Sequence, residues 1–325
     1  MNVAIVGCGL IGQKRAKALS TARLTVACDA VAERADALAK TANAASCSDW
    51  RDVVSRDDVD IVIVATTNES LAKVALGAIE AKKHVLVEKP AARSVAEVDP
   101  LIEAAKKNGV QVRVGFNHRY HPALRKAREI VDSGEAGELM FLRARYGHGG
   151  RVGYDKEWRA NPELSGGGEL IDQGVHVIDL ARWFLGDFPK VEGFAATYFW
   201  QMPVDDNAFL LLRTDDDRAA FLHVSCTEWK NLFAFEIYGR TGKIAIDGLG
   251  GSYGVERLTF YRMLPEMGPP ATTAWEYPRG DESWAIEFKE FLSDIEQRRT
   301  PSPGLAEARA ALEVVRKIYE ASGYE

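Results

Sequence analysis

The chain has 325 residues, of which 46% are hydrophobic and 27% charged, and it carries a formal net charge of -6. That is long enough for two domains and ordinary for a globular protein, which excludes a disordered chain. The acidic balance and the lack of a Lys/Arg-rich block exclude a nucleic-acid surface, and no apolar run reaches the roughly 18 residues of a membrane span. The N-terminus enters an apolar strand directly, with no signal-peptide pattern, so a cytoplasmic protein is expected. Cys8, Cys28, Cys47 and Cys226 show neither C-x-x-C spacing nor a histidine partner pattern, so reduced thiols and no metal site are expected.

Taken in chain order, the first element is an apolar strand over 2–6 that runs into Gly7-Cys8-Gly9-Leu10-Ile11-Gly12. The glycines have G-x-G-x-x-G spacing and precede a stretch of helical composition over 13–20. Gly7 permits the tight turn, Gly9 lets backbone approach a pyrophosphate, and Gly12 lets the helix pack closely on the strand. Leu10 and Ile11 stand at the helix N-terminus, where N–H groups and the helix dipole favour an anion. A second apolar strand over 24–28 ends in Asp29, roughly 20 residues past the glycines, where a carboxylate accepts hydrogen bonds from the adenosine ribose. The same carboxylate repels a 2′-phosphate, so NAD is expected rather than NADP, although Arg34 is a nearby cation. Asp29 also suits the cap of a helix beginning near Val31.

Apolar strands over 60–65, 84–87 and 110–115 alternate with helices over 69–81 and 95–108, a pattern that predicts a parallel, doubly wound sheet. The strand at 84–87 leads into Glu88-Lys89-Pro90, which brings Lys89 to the carboxyl edge where such sheets bind ligands. A helix over 123–133 opens a different regime. Strands over 138–146, 191–200, 208–213, 219–227, 233–238, 243–247 and 258–263 follow one another and read as an antiparallel sheet. Helices over 283–297 and 305–321 close the chain. The expected fold class is therefore α/β: a Rossmann doubly wound parallel sheet over 1–120, then an α+β domain over 121–325 with a large, mostly antiparallel open sheet. The C-terminal helices are free to pack back on the first domain. Apolar residues on both faces of strands such as Phe209-Leu210-Leu211-Leu212 predict burial against a second subunit.

Asp172 and His176 lie four apart in an otherwise apolar helical stretch (Leu170, Ile171, Val175, Val177, Ile178, Leu180). That spacing puts both side chains on one face, and a carboxylate and an imidazole on a largely buried helix require a polar site to justify their desolvation.

The opening fingerprint, the E-K-P of Glu88-Lys89-Pro90, and Gly166-Gly167-Gly168 followed by the D-x-x-x-H of Asp172 and His176 together resemble the glucose-fructose oxidoreductase / inositol dehydrogenase / rhizopine catabolism (Gfo/Idh/MocA) family. The resemblance runs over most of the chain and is strongest over 1–187. It implies that Lys89 is catalytic and aimed by a cis Pro90, that His176 is the general acid/base, and that Asp172 orients its neighbours. It also places Thr66, Asn68, Glu88 and Lys89 beside the cofactor; Thr67 and Leu71 depart from the proline and histidine usual in that segment. Asn117 and Arg119 would border cofactor and substrate. The loop over 147–159, with Tyr154, Trp158 and Arg159, looks like a substrate lid, and an Arg151 or Arg159 facing the pocket would favour an anionic sugar such as a uronate or nucleotide sugar. The implied reaction is hydride transfer between NAD and a secondary hydroxyl of a sugar, polyol or sugar derivative in the cleft between domains, in a homodimer or homotetramer joined through the C-terminal sheet. Two alternatives stay open: a redox-neutral glycosidase or sugar-sugar oxidoreductase that retains NAD, and a non-catalytic NAD-sensing regulator.

Overall fold

The computed structural model describes residues 1–324. The chain divides into two compact units, the first formed by Met1–Phe116, Glu163–Gly166 and Trp284–Leu312, the second by Asn117–Pro162, Gly167–Ser283 and the described residues from Glu313 onward. A division at 120/121 is thus displaced by a few residues, and the first unit also takes in a short segment near 165 and much of the final helical pair.

The first unit is built from β1 (Asn2–Val6), α1 (Leu10–Lys17), β2 (Arg23–Cys28), α2 (Ala32–Ala42), β3 (Ala45–Cys47), α3 (Trp50–Val54), β4 (Ile61–Val64), α4 (Asn68–Glu80), β5 (His84–Val87), α5 (Val95–Asn108) and β6 (Val112–Val114). All six strands run parallel in the order β3-β2-β1-β4-β5-β6. Strand order reverses between β1 and β4, so the crevice beyond their carboxyl ends is the ligand position of an open α/β sheet. The central strands are β-branched runs buried along their whole length, as in Ile61–Val64, because helices cover both faces. Gly109, at φ +65°, ends α5 in the left-handed conformation. β3 has no counterpart in the sequence reading: three residues at the sheet edge, two exposed and one half-buried, carry no hydrophobic periodicity. The core of Val3, Ile5, Ile61, Ile63 and Leu86 is completed by Phe288 and Phe291 of α9 (Ser283–Gln297).

The second unit holds α6 (Pro122–Asp132), β7 (Leu139–Gly147), α8 (Val175–Leu185) and seven further strands: β8 (Lys190–Ala196), β9 (Asn207–Arg213), β10 (Ala219–Ser225), β11 (Leu232–Gly239), β12 (Gly242–Asp247), β13 (Glu256–Arg262) and β14 (Ala271–Tyr277). A one-turn α7 (Pro162–Ser165) precedes α8, and α10 (Leu305–Ser322) ends the chain. The sheet has eight strands in the order β14-β13-β12-β11-β7-β10-β9-β8, antiparallel throughout except for the β7/β10 pair. β8 stops at Ala196, short of the expected 200. The Asp206 carboxylate accepts the backbone N–H groups of Tyr198, Phe199 and Trp200 at 2.9, 2.7 and 3.0 Å, which takes them out of the ladder. β14 is an additional edge strand whose polar, largely exposed sequence hides it. Ala208, Leu210, Leu212, Leu222 and Val224 fill the inner face, whereas Phe194, Leu211 and Phe221 on the other face stay 47, 40 and 51% exposed. Among the described residues no helix is long and apolar enough to cross a membrane.

Candidate functional site

In the first unit the glycine turn is sterically specified. Gly7 has φ +95°, and a Cβ there would lie 2.3 Å from the Ala65 carbonyl oxygen; one on Gly12 would lie 1.9 Å from the Gly7 carbonyl oxygen. Gly9 differs, because the space beside its Cα is open, as required where a diphosphate approaches the backbone at the start of α1. Leu10 is exposed and Ile11 half-buried beside it. The Asp29 carboxylate receives the Cys8 N–H at 2.7 Å on one oxygen and the Val31 N–H at 2.9 Å on the other. Both bonds tie it to the turn and to the start of α2, and a carboxylate with about four acceptor sites retains capacity for ribose hydroxyls. The residues present fit a dinucleotide.

The other first-unit candidates divide. Thr66 is half-buried just before α4 and donates to the Thr67 carbonyl at 3.1 Å. Asn68 is buried with its amide donating to the Ser165 carbonyl at 2.8 Å, which is a packing role. Glu88 is buried against Arg15, 2.6 Å away, and Arg15 reaches Glu287 at 2.5 Å on its other side. The Glu88 carboxylate thus serves a buried ion network, in which burial pushes the Glu287 carboxyl above its usual range. Lys89 follows as a half-buried residue, and the Lys89-Pro90 peptide is cis.

In the second unit Asp172 and His176 are both buried, at 8 and 4% exposure. Their setting is less regular than an α-helix, because Leu170–Gly174 forms a π-turn that passes into α8 at Val175; such turns are rare and recur at functional sites. The turn is anchored from behind. Asp205, with no exposed surface, accepts the backbone N–H groups of Gly168 and Leu170 at 2.9 and 2.7 Å and the Tyr319 hydroxyl at 2.6 Å. Burial pushes its carboxyl up to about 6 despite these three donors. Arg159 donates to Asp172 at 2.9 Å, and that carboxylate holds the guanidinium above its ordinary value. Beside this pair His148 lies 3.6 Å from Glu169. Burial works against a charged imidazole, but Glu169 outweighs it and raises His148.

The remaining second-unit candidates are mostly structural. Arg119 forms a two-pronged pair with Asp179 of α8 at 2.8 and 2.7 Å, both groups buried. Asn117 donates to Ser283 at 2.8 Å. Tyr154 is buried edge-on to His148 at 5.4 Å and tilted against Trp200 at 5.5 Å, and its hydroxyl is pushed up by burial and by Glu169. Trp158 is half-buried and stacks under Arg159 at 4.6 Å. The sequence reading did not single out His118, Tyr146, Glu169 or Asp205 as site groups. Glu169 adjoins the glycine triplet and was within reach of a spacing argument; the others come to Asp172 and His176 from separate elements and carry no local signal. Among the described residues no cluster of three or more His, Cys, Asp or Glu side chains is arranged to hold a metal ion.

A parallel sheet with a glycine cradle and a strand-end acid at its switch point defines a dinucleotide-binding fold, here joined to a second, sheet-based unit. Residues 1–116 match the NAD-binding Rossmann domain of an oxidoreductase family and residues 124–245 match the GFO/IDH/MocA C-terminal domain, so the chain belongs to the GFO/IDH/MocA family. Levoglucosan dehydrogenase from Pseudarthrobacter phenanthrenivorans is 28% identical over 229 residues, 62% of this chain and 59% of its own length. Inositol 2-dehydrogenase from Salmonella typhimurium is 34% identical over 194 residues, 58% of this chain and 55% of its own. These matches span less than two thirds of either relative. The scyllo-inositol 2-dehydrogenase (NAD(+)) of Bacillus subtilis aligns more fully, 26% identical across 97% of this chain and 92% of its own. A solved levoglucosan dehydrogenase in complex with NADH superposes with a TM-score of 0.90 over 99% of this chain and 97% of that one at 24% identity, a likeness of fold.

Proposed function

We propose that the protein is an NAD-dependent dehydrogenase acting on a secondary hydroxyl of a sugar, polyol or sugar derivative. The observation that carries this reading is the buried His176 imidazole on α8, one turn from an Asp172 carboxylate that is paired with Arg159. The first unit contributes the glycine cradle, Asp29 and Lys89. Bound at the cradle, NAD supplies the hydride acceptor. His176 takes the carbinol proton, the Lys89 ammonium stabilises the charge that develops on the oxygen, and Asp172 fixes local orientation and charge. Relatives named as levoglucosan and inositol dehydrogenases support the substrate class.

A neutral substrate is favoured over a uronate or nucleotide sugar, because Arg159 is paired with Asp172 at 2.9 Å and Arg151 with Glu157 at 2.6 Å. The partly exposed aromatic and aliphatic face at Phe194, Leu211 and Phe221 supports a homodimer or homotetramer through the C-terminal sheet. Four free cysteines support a reducing, cytoplasmic setting. The test is a panel of sugars, inositols, uronates and nucleotide sugars followed by NADH absorbance, with NAD and NADP side by side and with His176→Ala and Lys89→Met as controls. Turnover by a neutral polyol that both substitutions abolish is expected. Full turnover by His176→Ala removes the base assignment, and cofactor retained through purification with no net NADH favours the redox-neutral alternative.

A further inference from the structure

We infer that His118 is a positioning residue for His176: the two imidazoles are stacked face to face, so that His118 sets the plane of the acid/base ring and the pair holds one proton in place of two. This rests on His176 being the acid/base of the proposed reaction. The ring centroids are 3.8 Å apart with the planes 16° from parallel, and both residues are buried, at 6 and 4% exposure. The ring of His118 is held from several sides. It comes from the turn Asn117–Tyr120, Tyr146 and Phe233 meet it edge-on at 5.3 and 6.2 Å, and His121 lies across it at 5.6 Å.

Its tautomer follows from the hydrogen bonds. The Asn117 amide nitrogen donates to Ser283 at 2.8 Å, which turns the amide oxygen toward His118 Nδ1, 3.2 Å away. An amide oxygen only accepts, so Nδ1 carries the proton in the neutral ring. Two cationic rings at this separation, out of water, repel strongly, so protonation of one opposes protonation of the other and the rings titrate as a coupled pair.

Several charged and titratable groups near the pair are engaged with one another or kept neutral. Tyr146 of β7 also meets His176 edge-on at 6.3 Å, and burial together with Tyr253, Glu169 and Asp172 keeps its hydroxyl protonated. Asp172 faces Arg159, Glu169 faces His148, Asp179 of α8 is locked to Arg119, and His121 is bonded to Glu256 at 3.0 Å. The chemical consequence is specific: the carbinol proton lands on an empty pair, where the neutral His118 presents its π face to the new imidazolium.

The experiment is a titration of the full-length protein by histidine-selective NMR between about pH 8 and about pH 5, with His118→Phe and His118→Ala, alongside kcat and KM. In the wild type the two rings take up one proton between them, and in His118→Phe the His176 ring takes up a full proton alone. His118→Phe, which keeps a flat ring, holds kcat within about threefold, whereas His118→Ala lowers it about tenfold or more at unchanged KM for NAD. A full proton on each wild-type ring over that range, or an unchanged kcat in His118→Ala, overturns the inference. Should His118→Ala fail to fold, the wild-type and His118→Phe titrations decide it. The NMR readout needs no turnover, so a failure of the acid/base assignment, seen as an active His176→Ala, is separable from a failure of the pairing.

Discussion

Replacing Asp205 with asparagine should flatten one component of the pH dependence of stability. Asp205 has no exposed surface, and burial raises its carboxyl from the usual 3.8 to about 6, outweighing the donors from Tyr319, Leu170 and Gly168. Because the folded value lies above the unfolded one, the native state binds more protons than the unfolded chain between those values, so this group's contribution to stability falls as pH rises. The difference of 6 less 3.8 is 2.2, which at about 1.36 kcal/mol for each pH unit corresponds to about 3 kcal/mol in all, with about 2 to 3 kcal/mol of it between about pH 4 and about pH 7. The asparagine has no such titration. Urea denaturation of both proteins across that range should show the stability of the wild type relative to Asp205→Asn declining by this amount as pH rises. A difference that stays constant, or that grows with pH, refutes the reasoning and means that the backbone donors, not burial, control the carboxylate.

Gly12→Ala puts a Cβ 1.9 Å from the Gly7 carbonyl oxygen, so the turn must open; NADH binding followed by fluorescence should weaken about tenfold or more, and wild-type affinity would remove the cradle from the argument. Arg119→Met leaves Asp179 buried without its two-pronged partner and should cost about 3 to 5 kcal/mol in denaturant unfolding, with the ranking of sugar substrates unchanged. Asp29→Ser retains a hydroxyl for the turn but removes the charge that repels a 2′-phosphate, so the ratio of NADP to NAD activity should rise about tenfold. Burial raises all four thiols, Cys8 up to about 12 with help from Asp29, so accessibility decides reactivity, and alkylation of the native protein near pH 8 should be slow and confined to Cys47, the thiol that is not fully buried.

Much of the first unit was legible because its signals are local. A β-branched run bounded by a glycine turn reads as a buried parallel strand, so β1, β2, β4 and β5 fall where their residues predict. Asp29 is found by counting from the glycines. The second unit was legible as a succession of strands, but its ends were not. Asp206 stops β8 with three backbone bonds, and β14 forms because β13 offers it a free edge, neither of which a hydrophobic pattern records.

The chain alone determined the dinucleotide cradle and the order of the two regimes, since each depends on residue type and spacing within short segments, whereas Lys89, Asp172 and His176 became candidates through the family resemblance added to their local setting. Tertiary structure decided what those side chains touch. Glu88 belongs to Arg15, Arg119 to Asp179, and His118 to the face of His176, through partners 73, 60 and 58 residues away in sequence. Burial and charge pairing at such separations follow from how sheets and helices stack, and no local pattern encodes them.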